Sequence, residues 1–274
     1  MVIATLLALS AAVLHAAWNL TIKQTRIDRL SALWAQFMLA GVIAAVLLAA
    51  LGGVPLPAWP FAVISACAHL PYVLLLAHAY ERSDFSLAYP VARGLGAFGA
   101  AVGGVVLLGD HLQPVSWIGL VIVAAGLALL AWTASGSSIG AAAALGVVIA
   151  VYTVADARGS RVADERYALA TFSAAAVVLG TWALVTRRAR PMVAAVRGHG
   201  RIVVFTAIAT MTTYGMVLLA FRRAPVGYVA ALRESSVVIA ALVGWHRLGE
   251  RAGARRLLAA CTVATGLIVL IAGR

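Results

Sequence analysis

Apolar runs of about twenty residues alternate with short polar breaks along the whole chain. The breaks fall at 23–29, 52–60, 81–84, 109–114, 135–138, 158–166, 187–201, 222–225 and 247–251. They leave ten apolar stretches, at 2–22, 30–51, 60–80, 85–108, 114–133, 139–157, 167–186, 202–221, 226–246 and 252–272. A helix needs about 20 residues to cross the hydrocarbon layer. Barrel strands are about 10 residues long and alternate in polarity. These runs are longer and do not alternate, so the pattern predicts an all-α, polytopic membrane protein with ten transmembrane helices. Residues 1–17 carry no basic leading segment and nine further runs follow, so 2–22 reads as a first membrane helix and not as a cleaved leader.

A shift of 140 residues lays Leu108-Gly109-Asp110 on Leu248-Gly249-Glu250, Arg93 on Arg233, Gly104 on Gly244 and Gly126-Leu127 on Gly266-Leu267. A shift of 137 lays His15 on Tyr152 and Asn19 on Asp156. The first five helices therefore resemble the last five, which divides the chain into repeats at 1–134 and 139–274. Five spans per repeat is an odd number, so the two repeats must enter the membrane in opposite senses. Many secondary transporters use this inverted arrangement, with the binding site at mid-depth between the repeats.

Composition narrows the picture further. The chain has 274 residues, of which 64% are hydrophobic and 11% charged. Soluble domains run nearer half and a quarter, so a soluble enzyme, a disulfide-built mini-protein and a disordered chain are excluded. Cys67 and Cys261 lie inside apolar runs and read as small buried hydrophobes. The formal charge is +12, and Lys23 is the one lysine beside the arginines. Most of these cations flank spans, where they set orientation and do not bind nucleic acid. Loops on one side hold 13 of the 21 Lys and Arg and the other side 6, which predicts both termini outside. Arg93 and Arg233 are the two within spans.

A charge inside a span is costly and must face a partner or a cavity. Arg93 follows Tyr89-Pro90, where proline frees a carbonyl and favours a kink. Arg233 is followed by Glu234, and neighbours one apart point in different directions on a helix, so Glu234 is expected to take a cross-helix partner or to act as a proton-coupling group. His15, Asn19 and Lys23 recur every four residues on one face beside Trp18, a polar stripe that should look inward. Tyr152 and Asp156 repeat that stripe in the second half; Asp156 can alternatively pair with Arg158. His69 and Tyr72 flank Pro71 in span 3 and Tyr214 interrupts span 8; all three suit a substrate pocket. The candidate substrate-binding set is thus His15, Trp18, Asn19, His69, Tyr72, Tyr89, Arg93, Tyr152, Tyr214 and Arg233, with Glu234 and Asp156 as proton-coupling candidates.

The stretch Gly94-Leu95-Gly96-Ala97-Phe98-Gly99 matches the dinucleotide pattern, but it is mid-span and lacks the preceding strand. Gly96, Ala100 and Gly104, with Gly99 and Gly103, instead form small-residue stripes for close helix packing. No metal-ligand spacing, nucleophile elbow or Walker loop is present, so no metal, no cofactor and no enzymatic activity are expected.

Ten spans, two five-helix halves and the turns Leu108-Gly109-Asp110 and Leu248-Gly249-Glu250 resemble the drug/metabolite transporter superfamily, EamA-like branch. The resemblance implies a secondary transporter, often an exporter, with a cavity lined by spans 1, 3, 4, 6, 8 and 9. It also implies termini in the cytoplasm, against the arginine count. The expected function is alternating-access export of a small zwitterionic or anionic metabolite across the inner (cytoplasmic) membrane, proton-coupled or facilitative. The alternatives are a multidrug or amine exporter of the same fold, a non-transporting membrane scaffold and an intramembrane enzyme. The expected partners are a small-molecule substrate and the lipid bilayer, with a homodimer left open and no nucleic acid.

Overall fold

The computed structural model describes residues 1–81, 85–131, 139–236, 238–239 and 254–273, with side chains for all of these except 23, 78–81, 85–91, 130–131, 139 and 254–257. The Lys23 and Tyr89 side chains and the Leu248-Gly249-Glu250 turn therefore lie outside the described residues. Among the described residues the secondary structure is helical, with no strand. The helices are α1 (Val2–Gln24), α2 (Arg29–Ala50), α3 (Trp59–Glu81), α4 (Phe85–Leu108), α5 (Pro114–Ala131), α6 (Ile139–Val162), α7 (Tyr167–Val185), α8 (Ala189–Val196), α9 (Gly200–Phe221), α10 (Val226–Arg233) and α11 (Ala254–Ala272). Among the described residues six stretches are long and apolar enough to span a membrane: Val2–Ile22, Arg29–Ala50, Leu56–Ala77, Gly140–Val162, Tyr167–Val185 and Gly200–Phe221. Ala92–Leu108, Pro114–Leu129 and Leu258–Ala272 are shorter apolar helices.

Two elements depart from the sequence reading. α6 runs to Val162, past the break expected after 157, so Arg158 and Arg161 are helical. Cations suit a helix C-terminus, where the dipole is negative, and Arg161 finds carbonyl acceptors there. The polar break at 187–201 contains α8, whose eight residues are too short and too close to arginines to show as an apolar run.

Burial follows the helical period. In α1 Ala4, Ala8, Ala11, His15, Trp18 and Ile22 are buried at a 4-3-4-3-4 spacing that keeps one stripe facing inward, and Thr5 and Ala12 beside that stripe are buried as well. The first half of the stripe is alanine, which lets α1 pack closely on α9 and α10. Outward residues are large and apolar, with Val106 at 73% and Val185 at 77% exposed, as lipid contact requires. Cys67 and Cys261 are exposed, not buried as the sequence implied. Hydrocarbon is a tolerable neighbour for a thiol, so a membrane protein has no need to bury them.

Side-chain bonds gather both termini and several turns at one end of the bundle. Thr5 and Tyr228 hydroxyls meet at 2.8 Å, Ser116 donates to the Gly273 carbonyl, and Arg166 to that of Leu51. The other end carries the α1–α2 turn, where Asp28 caps α2 by accepting from the Ser31 N–H at 2.8 Å, and α8.

Helix pairs recur in matched sets. α1 packs on α9 and α3 on α6; α4 on α6 and α1 on α10; α2 on α9 and α3 on α7; α2 packs on α7 and α5 on α11. At the α5–α11 seam a Cβ at Gly126 would lie 2.8 Å from the Val263 nitrogen and 3.2 Å from the Ala259 carbonyl. A Cβ at Gly266 would lie 2.7 Å from the Val123 nitrogen and 2.8 Å from the Gly119 carbonyl. Val123 and Gly119 stand 140 residues before Val263 and Ala259, so the contact is reciprocal, as across a two-fold axis. On α4, Cβ atoms at Gly96 and Gly103 would sit 2.5 and 2.6 Å from the Cγ2 atoms of Ile149 and Val154 on α6. The glycine stripe thus packs helix on helix.

Gly103→Leu should lower the thermal midpoint of the detergent-purified protein, since overpacking costs about 1–3 kcal/mol. Gly140→Leu, where nothing lies within 4 Å of a new Cβ, should leave it unchanged or raised. Equal midpoints for the two variants would show that the α4–α6 seam is not tightly packed.

Candidate functional site

A partly open cavity of about 40 Å³, measured as the space open to the centre of a water molecule, lies within the bundle. α1 contributes His15 and Trp18, α2 contributes Leu33, Gln36 and Phe37, and α3 contributes His69 and Tyr72. Tyr152 comes from α6 and Phe172 from α7; Thr210, Thr213 and Tyr214 come from α9, and Arg233 from the end of α10. The inward stripe of α1 passes from alanine to His15 and Trp18 at the cavity, so one helical face both packs and lines.

His69 stands among the rings. Its ring centroid is 4.7 Å from that of Tyr152, 5.5 Å from Phe37, and 5.9 Å from both Tyr72 and Tyr214. Nδ1 lies 2.7 Å from the Ser65 carbonyl, which can only accept, so the proton sits on Nδ1. The Ser65 hydroxyl is 3.3 Å from the Tyr214 hydroxyl. Tyr214 donates to Asp156 Oδ2, and Tyr167 donates to Asp156 Oδ1 at 3.2 Å. A buried carboxylate is therefore joined through Tyr214 to the cavity wall. Asp156 pairs with these hydroxyls and not with Arg158. Asn19 Nδ2 lies 3.1 Å from His15 Nε2, beside the cavity wall.

Arg93 and Arg233 are treated unequally. Arg93 Nε donates to Glu234 Oε2 at 3.0 Å and its Nη2 lies 2.7 Å from Oε1, a bidentate pair whose side chains are 3% and 4% exposed. Glu234 thus takes a cross-helix partner, as the sequence implied. α10 ends at Arg233, and the N–H of the capping Glu234 bonds the Ala231 carbonyl three residues back at 3.0 Å. Arg233 faces the cavity, and no acid among the described residues forms an ion pair with it. The two arginines therefore do not face one ligand together, because Glu234 has claimed one of them.

The lining also departs from the spans implied by the resemblance. α2 and α7 contribute, through Gln36, Phe37 and Phe172, while Arg93 of α4 is turned onto Glu234. Sequence reading missed Gln36, Thr210 and Thr213. Gln36 is the lone amide of its span, and Thr210, Thr213 and Tyr214 share one helical face. Among the described residues both amide atoms of Gln36, both threonine hydroxyls and the Trp18 Nε1 are buried without a partner. Buried polar groups in native proteins are normally bonded, and this cluster lacks partners within the chain.

At the termini end the Leu108-Gly109-Asp110 turn has a definable job. Gly109 adopts φ +71°, which L side chains rarely take. Asp110 Oδ2 accepts from the Val226 N–H at the start of α10 at 2.7 Å, and Oδ1 accepts from Arg161 at 2.7 Å. Arg161 also donates to the Phe221 carbonyl at 3.0 Å. The turn of the first half thereby holds the helix that carries Arg233. Nearby, Arg166 donates to Asp164 and holds that loop carboxyl below the usual carboxylate range.

Glu234→Gln should destabilise the protein by about 3–5 kcal/mol, because it leaves the Arg93 charge buried and uncompensated. Arg93→Leu combined with Glu234→Leu should restore most of that loss. Thermal unfolding of the three proteins checks it; a double variant as weak as the single one would mean the pair contributes more than mutual neutralisation.

Comparison with known proteins adds the family. The EamA-like transporter family model matches residues 136–272 and the Small Multidrug Resistance protein model matches residues 33–123. No curated protein matches the chain. A solved crystal structure of a protein is similar with a TM-score of 0.72 at 19% identity, covering 99% of this chain and 98% of that one, which shows the shared fold. The apolar helices and the matched families make this a multi-pass membrane protein of the drug/metabolite transporter type that handles a small molecule, and with half its length matched the chain belongs to the EamA-like transporter family.

Proposed function

We propose that the protein is a secondary active transporter built from two inverted five-helix repeats, 1–134 and 139–274. It exports a small zwitterionic or anionic metabolite, such as an amino acid, across the inner membrane by alternating access. The reciprocal Gly126 and Gly266 contacts support the repeat, as does the separate match of each half to a transporter family model. The substrate class rests on one observation: the cavity holds Arg233 without an acidic partner among the described residues, beside the unsatisfied Gln36, Thr210 and Thr213. A carboxylate answers the guanidinium fork, and donors and acceptors elsewhere on the substrate answer the amide and hydroxyls. His15, Trp18, Asn19, His69, Tyr72, Tyr152 and Tyr214 orient the remainder; Tyr89 stays in the set on its sequence position next to Pro90. Arg93 serves the site indirectly, by holding Glu234 and so leaving Arg233 to the substrate.

Uptake of radiolabelled amino acids and simple carboxylates into proteoliposomes tests the reading. A charge-assisted hydrogen bond contributes about 1.5–3 kcal/mol, so Arg233→Gln should raise KM about ten- to a hundredfold. Unchanged carboxylate uptake would remove the anion argument. A second reading, export of amines or cationic drugs, draws on the ring-lined wall, which suits cations, and on the match to the Small Multidrug Resistance family. In that case Arg233→Gln would speed cation uptake.

Proton coupling is assigned to Asp156, which is bonded to hydroxyls and reaches the cavity through Tyr214. Glu234 is held by Arg93, and its release would need that pair to open. Asp156→Asn should leave substrate exchange intact while abolishing the response to an imposed pH gradient. A gradient response lost in Glu234→Gln instead would move the coupling to Glu234.

A further inference from the structure

We propose that the α8 end of the bundle is a binding site for anionic phospholipid headgroups. Arg187, Arg188, Arg190, Arg197 and Arg201 fall within fifteen residues that contain no acid. All five are exposed. At the opposite end three arginines are matched by acids, Arg161 with Asp110, Arg166 with Asp164 and Arg222 with Glu165, while Arg158 and Arg223 form no ion pair with an acid among the described residues. Among the described side chains the acid at the α8 end is Asp28, and it is occupied in capping α2.

Two features of the segment work against its own stability unless an anion is present. α8 is preceded by Arg188 at its N-cap, with no side-chain cap bond and no acid in its first turn, so Arg187, Arg188 and Arg190 crowd the positive end of its dipole. Arg187 also adopts φ +57°. It closes α7 in the left-handed position that glycine usually fills, with the Arg188 N–H bonded to the Ala183 carbonyl at 2.8 Å. A long cation kept in a strained position points to a use for its charge.

The surroundings identify the anion as a lipid phosphate. Met192 anchors α8 against the bundle at 3% exposure, while Val193 is 46% exposed. Leu184 and Val185, at the last turn of α7, are 70% and 77% exposed. The Arg188 guanidinium sits 5.9 Å from the Trp182 ring. Apolar residues at acyl depth, a tryptophan at the boundary and arginines just beyond it form the profile of an interfacial basic helix. Guanidinium forks match the phosphodiester oxygens of a headgroup.

Native mass spectrometry of the full chain in neutral detergent, offered equal phosphatidylglycerol and phosphatidylcholine, tests this. The protein should retain phosphatidylglycerol about tenfold over phosphatidylcholine. Replacing all five arginines by Gln should reduce that preference to about twofold or less. Arg222→Gln with Arg223→Gln, at the other end, should leave it intact. Arg187→Gly provides a variant that relaxes the turn: its thermal midpoint should hold or rise while phosphatidylglycerol retention falls. The proposal is overturned if the five-fold variant keeps the full preference, if the Arg222/Arg223 variant loses it equally, if Arg187→Gly retains lipid unchanged, or if millimolar inorganic phosphate displaces the lipid, which would make the site one for free phosphate.

Discussion

The bidentate pair between Arg93 and Glu234 sets the electrostatics of the bundle. An uncompensated charge in hydrocarbon costs several kcal/mol, and here a guanidinium of α4 and a carboxylate at the end of α10 neutralise each other almost fully buried. Arg93 and Arg233 stand 140 residues apart, and at the same offset Gly94 answers to Glu234, so the two arginines have one adjacent acid between them. The acid serves the arginine of the other half. Arg233 is thereby left facing the cavity.

Around that pair the structure separates packing from chemistry along individual helices. α1 uses alanine to approach α9 and α10 and then presents His15 and Trp18 from the same stripe. α4 uses glycine to lie against α6, and α5 and α11 use Gly126 and Gly266 in the same way. Small residues substitute for the hydrophobic effect, which cannot drive helix association in lipid. The close seams fix the frame within which the cavity wall, rich in rings and short of polar partners, is held open.

The Leu-Gly-acid turn shows how a motif gains meaning. In sequence it identifies a family; in the fold Asp110 binds the first N–H of α10 and Arg161 of α6, so the turn of one half holds the helix of the other that bears Arg233. The arginine count meets a similar clarification. At the termini end Arg161, Arg166 and Arg222 are matched by Asp110, Asp164 and Glu165, whereas those around α8 are matched by no acid in their own segment, so equal formal charges have unequal weight for lipid.

The sequence by itself determined the membrane class, the helical state, the limits of most described helices and many of the polar residues that meet at the cavity. These properties are carried by runs, spacings and the cost of burying charge, all of which are local or periodic. It could not find α8, because one eight-residue turn-rich segment leaves no periodic trace, nor Gln36, Thr210 and Thr213, whose polarity is ordinary until neighbouring helices leave it unsatisfied. Which acid pairs with which arginine was also beyond it. Arg93 and Glu234 are 141 residues apart, and a side chain's partner across a membrane bundle is decided by helix rotation and depth, quantities that exist only once the helices are packed.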